Sequence, residues 1–92
     1  SGEIVSIGTI NSSLVHPREV FKAAILANAR AFICAHNHPS GDVAPSDDDL
    51  ALLRRLGSAA DILGIPLLDF LVVAGEKVWS ARDVGIISGI TL

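Results

Sequence analysis

Apolar residues in this chain fall into two kinds of run. Short continuous or alternating runs suit strands, and runs spaced by three and four suit helices. Residues 3–10 mix Ile4, Val5, Ile7 and Ile10 with small residues and read as a strand. Asn11-Ser12-Ser13 reads as a turn. His16-Pro17-Arg18-Glu19 opens a helix, because proline suits the first helical turn, where its missing N–H costs nothing. Val20, Phe21, Ala24, Ile25 and Leu26 give that helix an apolar face, and Asn28 stops it. Residues 31–35 form a short continuous apolar run, the mark of a central buried strand. The Pro/Gly-rich stretch 39–45 is a loop.

A second helix starts at Ser46. The serine can cap its free N–H groups, and Asp47-Asp48-Asp49 complements the helix dipole. Leu50, Leu52, Leu53, Leu56, Ala60 and Leu63 supply the buried side, and Gly64 ends the helix. Leu67–Ala74 is a further buried strand, and Gly75-Glu76-Lys77 turns it into Val78-Trp79-Ser80. The tail from Val84 to Leu92 is apolar and carries no clear element signal. The order β-α-β-α-β-β predicts an α/β (α+β layered) domain. No repeat, low-complexity segment or linker interrupts residues 1–92, so one domain is expected.

Composition narrows the partners. Half of the 92 residues are hydrophobic and 18% are charged, which describes a compact, buried chain. Ten acidic and seven basic residues leave a net charge of −3, and no Lys/Arg block marks a nucleic-acid footprint. Arg54-Arg55 lies within the helical pattern and reads as a solvated helix edge. The one cysteine, Cys34, excludes a disulfide within the chain and sits in an apolar run as a buried small hydrophobe. No apolar stretch reaches the roughly 20 residues of a membrane span, and the first residues form no signal peptide. A cytoplasmic location is expected.

The chemistry concentrates in residues 36–49. His36 and His38 stand two apart at a predicted strand end, where positions i and i+2 point to the same face. Asp49 lies in the first turn of the next helix, and Pro39, Gly41 and Pro45 can shape the return that brings it to the imidazoles. Two imidazoles and a carboxylate are three good ligands for a divalent cation such as zinc. Ser46, three residues before Asp49, can donate a hydrogen bond to a developing oxyanion. Each residue also has a purely structural reading. Ser46-x-x-Asp49 is a capping arrangement, a His-x-His pair alone is weak evidence, and His16 suits a cap or the surface. Asp69 stands in an apolar strand and needs partners there, as a structural group or as a support for the site.

The joint spacing resembles a known family. His36-x-His38, seven residues, then Ser46-x-x-Asp49 is similar to the JAMM metalloprotease motif at every fixed position. The surrounding text resembles the RadC-like JAB domain of bacteria over residues 3–85: Gly8-Thr9-Ile10-Asn11-Ser12-Ser13, Val15-His16-Pro17-Arg18-Glu19-Val20-Phe21-Lys22, Ala35-His36-Asn37-His38-Pro39-Ser40-Gly41-Asp42, Pro45-Ser46 and Leu68-Asp69. The resemblance implies a JAB/MPN, cytidine deaminase-like architecture, with a central mixed β-sheet flanked by helices. It implies zinc held by His36, His38 and Asp49, oxyanion assistance from Ser46, and hydrolysis of peptide or isopeptide bonds in a protein substrate. It also implies a glutamate general base ahead of an additional strand. Glu3 matches that glutamate poorly and Glu19 belongs to another motif, so residues 1–92 are expected to lack the base, together with an N-terminal helix and strand of the family pattern. Phe70 replaces the histidine usual after Leu68-Asp69. Two other readings follow: a catalytically silent metal-binding or interaction module, dimerising through the edge that a missing strand leaves, and a DNA-associated protein, as the family's historical DNA-repair label suggests.

Overall fold

The computed structural model describes residues 2–9 and 15–87. The turn expected at 11–13 and the tail beyond Ile87 lie outside the described residues. The elements run β1 (Ile4–Thr9), α1 (Pro17–Leu26), β2 (Ala31–Asn37), α2 (Asp47–Leu63), β3 (Leu67–Ala74) and β4 (Lys77–Ser80). They form a mixed four-stranded sheet in the order β1-β2-β3-β4. β1, β2 and β3 are parallel, and β4 returns antiparallel to β3. This is the predicted α/β class, and it is consistent with a JAB/MPN-like fold.

The two crossovers step in the same direction across the sheet. Crossovers share one hand, so both helices land on one face. That face carries Phe32 and Cys34 from β2 and Phe70 and Val72 from β3, packed with Val20 and Phe21 of α1 and Leu52, Leu53, Leu56 and Ala60 of α2. Phe21 meets Phe32 edge-to-face, with ring centroids 5.0 Å apart. Alternation along the strands puts Ile33, Ala35, Leu71 and Val73 on the opposite face, where they are half-buried.

The boundaries follow hydrogen bonding more than polarity. β2 runs two residues past the apolar stretch, because its ladder continues through Thr9↔His36 on one side and through His36↔Val72 and Asn37↔Val73 on the other. α1 opens with His16 Nδ1 accepting from the Arg18 N–H at 3.1 Å and with Pro17 in its first turn. It ends at Leu26, and Asn28 follows with a φ of 51°. The α1 face is narrower than the pattern suggested. Pro17, Val20, Phe21 and Ala24 are buried, whereas Ile25 and Leu26 are 55% and 76% exposed because they sit about a quarter and a half turn away from that stripe. On α2, Leu63 is the last helical residue and is also exposed. Gly64 then closes α2 in the left-handed conformation (φ 69°), its N–H donating to the Ala60 carbonyl.

Asp69 has a structural job. One carboxylate oxygen accepts from the Ser80 hydroxyl at 2.6 Å, and the other accepts from the N–H groups of Phe70 (2.8 Å) and Arg82 (3.1 Å). It thereby ties β3 to the end of β4 and to the turn beyond.

Two outcomes test this packing. Phe32→Ala removes a fully buried ring at the junction of both helices and the sheet; urea unfolding should show a loss of about 3–5 kcal/mol, and a loss under 1 kcal/mol would mean the ring is not packed as described. Burial pushes the Cys34 thiol from 9.0 up to about 12. Below 9.0 the thiol is neutral in both folded and unfolded chains; between 9.0 and about 12 only the unfolded thiol ionises, so Cys34 lowers stability as pH rises through that window. At pH 8 a thiol reagent should label Cys34 only after unfolding, and rapid labelling of the native chain would contradict its burial.

Candidate metal centre

The site lies at the carboxyl end of β2 and the amino end of α2. His36 is the penultimate residue of β2, buried at 6% exposure on the helix-covered face. His38 follows the strand, and its N–H is held by the Val73 carbonyl at 2.8 Å. The two imidazole rings stand edge-to-face, 4.8 Å between centroids. Residues 39–46 then carry the chain back so that Asp49, fully buried in the first turn of α2, meets both rings.

Asp49 is the hub. Oδ1 lies 2.5 Å from His36 Nδ1, and Oδ2 lies 2.8 Å from His38 Nε2. Oδ2 also accepts from the Ser46 N–H at 2.8 Å, while Ser46 Oγ accepts from the Asp49 N–H at 3.1 Å. This is a reciprocal capping box, so the structural reading of Ser46-x-x-Asp49 is present in full. The same carboxylate that caps the helix faces both histidines. Cap and cluster share one side chain.

His38 makes a second bond. Its Nδ1 donates to the Asp42 carbonyl at 2.7 Å. Both ring nitrogens therefore face acceptor oxygens, an arrangement that the doubly protonated ring satisfies at both ends. The Asp42 carbonyl, opposed by the partial burial of the ring and aided by Asp49, holds the His38 pKa above the ordinary histidine value. The Asp42 carbonyl is a contributor that sequence reasoning missed, because a main-chain oxygen leaves no mark on residue identity.

Each predicted site residue has a definite place. Ligand atoms from His36, His38 and Asp49 all lie within 4.8 Å of one another. Ser46 stands beside them at the exposed lip, its oxygen engaged in the cap and its hydroxyl hydrogen still able to donate. Glu3 is remote. It precedes β1, whose first residue pairs with Ala31, whereas the last residue of β1 pairs with His36. Phe70 pairs with Cys34 inside the core and Asp69 is committed to the β4 turn, so neither joins the cluster. Two imidazole nitrogens and a buried carboxylate on a firm frame are the donor set of a borderline divalent metal, and the residues present fit zinc.

The chain belongs to the RadC-like JAB domain family, which it matches over residues 1–86. Among similar bacterial proteins, a UPF0758 protein of Bacillus licheniformis is 51% identical over 81 residues, covering 88% of this chain and 36% of the relative. The UPF0758 protein YsxA of Bacillus subtilis is 52% identical over 81 residues, 88% of this chain and 35% of the relative. A UPF0758 protein of Desulforamulus reducens is 49% identical over 85 residues, 92% of this chain and 37% of the relative. The chain thus spans about a third of the length of the curated relatives it matches.

Elemental analysis of the purified chain should return about one zinc per chain, held by two imidazoles and one carboxylate. His36→Ala and His38→Ala should abolish it, and Asp49→Ala should weaken it strongly. Full zinc retained by a double histidine variant would remove these residues from the ligand set.

Proposed function

We propose that this domain is a zinc-dependent hydrolase of the JAMM type, cutting peptide or isopeptide bonds in a protein substrate. The observation that carries the reading is the convergence of His36, His38 and Asp49 on one point, held by a capping box that leaves the Ser46 hydroxyl beside it. Zinc held there supplies Lewis acidity and a nucleophilic water whose pKa falls to about 7. The chain's own residues have separate tasks. His36 and His38 supply neutral nitrogen donors, and Asp49 supplies charge from a position that helix packing cannot easily vary. Ser46 donates its hydroxyl hydrogen to the oxygen on which charge develops at the scissile carbonyl.

A second reading has its own support. Among the described residues, the cluster holds His36, His38 and Asp49 and no further carboxylate. General-base catalysis needs a base within hydrogen-bond reach of the proton it removes. On this reading the segment is a catalytically silent metal-binding module. Net charge gives no support to a nucleic-acid substrate. Among the described residues no helix is long and apolar enough to cross a membrane, and the free, buried Cys34 suits our placement of the domain in a reducing compartment.

The test uses a longer relative with a matching segment, beside the 92-residue chain, on quenched fluorescent peptides and on isopeptide-linked protein conjugates. The longer protein should cleave, and its counterpart of His36→Ala should not. Ser46→Ala should keep its zinc and lose about 10²–10³-fold in kcat, the usual consequence of removing one oxyanion donor. A Ser46→Ala protein with full activity would strip Ser46 of this role, and cleavage that survives removal of the metal would end the hydrolase reading.

A further inference from the structure

His36 and His38 are held in different ways. His36 lies within β2, with hydrogen-bonded strands on both sides. His38 lies past the end of the strand, half-buried, on a chain that has begun to turn. A histidine in such a place can rotate and can offer either nitrogen to a cation. Something must choose.

The loop after His38 is knitted by its own hydrogen bonds. The Gly41 N–H donates to the His38 carbonyl at 3.2 Å, closing a turn that has Pro39 at its second position. The Asp42 N–H donates to Ser40 Oγ at 3.3 Å. The Ala44 N–H donates to Asp42 Oδ1 at 3.0 Å, an Asx turn. Gly41 has a φ of 84°, in the region that favours glycine, and it directly precedes the residue whose carbonyl meets the imidazole. Two turns, one positive φ and one side-chain brace therefore fix a single carbonyl oxygen 2.7 Å from His38 Nδ1. On the other side of the ring, Nε2 faces the carboxylate oxygen of Asp49.

We propose that Asp42 is a positioning residue of the metal centre: its main-chain carbonyl takes the His38 Nδ1 hydrogen, which commits Nε2 as the nitrogen that binds the cation, and its side chain holds that carbonyl in place. This rests on the reading that His36, His38 and Asp49 bind a metal. The logic is that of the outer partners that orient metal-binding histidines in general: a fixed acceptor on one nitrogen sets both the tautomer and the ring plane. The loop between the second histidine and the capping serine then serves as a brace as well as a connection.

The experiment measures zinc affinity by competition with a chromophoric chelator, and the His38 ring state by ¹⁵N-correlated NMR of the zinc-loaded chain. The proteins are wild type, His36→Ala, Asp42→Ala, Asp42→Asn and Gly41→Val. Wild type should show His38 with Nδ1 protonated and Nε2 bound to metal. Asp42→Ala loses the brace to Ala44, and Gly41→Val forces a β-branched residue to positive φ; each should weaken zinc by about 10–100-fold, the usual effect of losing such a partner. Asp42→Asn keeps an oxygen for the Ala44 N–H and should restore affinity close to wild type. Zinc bound to wild type through His38 Nδ1 overturns the proposal, and that result does not depend on any variant folding. So does unchanged affinity in both Asp42→Ala and Gly41→Val, or a loss in Asp42→Asn as large as in Asp42→Ala. Wild type that binds no zinc, or binds it no better than His36→Ala, refutes the metal reading itself and the proposal with it.

Discussion

Everything at the carboxyl end of this sheet depends on the buried carboxylate of Asp49. An uncompensated charge in such a place costs several kcal/mol, and here each oxygen has a strong partner. His36 takes one, while His38 and the Ser46 main chain share the other. The bonds come from β2, from the segment after it and from the start of α2, so one side chain fastens strand, loop and helix together. The first turn of α2 cannot fray without releasing the imidazoles, and the imidazoles cannot separate without uncapping the helix.

The topology brings these parts together. In a β-α-β-α-β unit with parallel neighbours, every strand ends on the side of the sheet where the next helix begins. Open α/β sheets place their chemistry at the carboxyl ends of strands for this reason. Here β2 is the strand with a parallel neighbour on each side, so the ladder that aims His36 is doubled. Packing both helices on one face adds the second constraint, since Leu52, Leu53 and Leu56 anchor α2 over Phe70 and Val72 and fix where its first turn can lie.

The element order and the cluster were legible from the chain because both are written in side chains. Periodicity identified six elements, and the spacing of His36, His38, Ser46 and Asp49 marked the residues that the fold brings together. Where pattern and structure differ, the causes are physical. The apolar run stops at Ala35, yet strands stop where ladders stop, and His36 and Asn37 are still paired. Ile25 and Leu26 continue the apolar pattern of α1, but the helical twist carries them off the face that Val20, Phe21 and Ala24 bury. Asp69 gave no hint of its partners, because Ser80 and the Arg82 N–H reach it only after β4 has folded back. The Asp42 contribution is a carbonyl oxygen, which every residue possesses.

The capping box at Ser46 and Asp49 separates two demands that usually coincide. As a helix start, the third position after the serine accepts glutamate or glutamine as readily as aspartate, because longer side chains can reach back to the cap. As a partner of two imidazoles, that position needs a carboxylate held one methylene closer to the backbone. Position 49 therefore answers to both demands at once: glutamine there could still reach back to the cap but would bring no carboxylate to the imidazoles, and its extra methylene would have to fit a fully buried place.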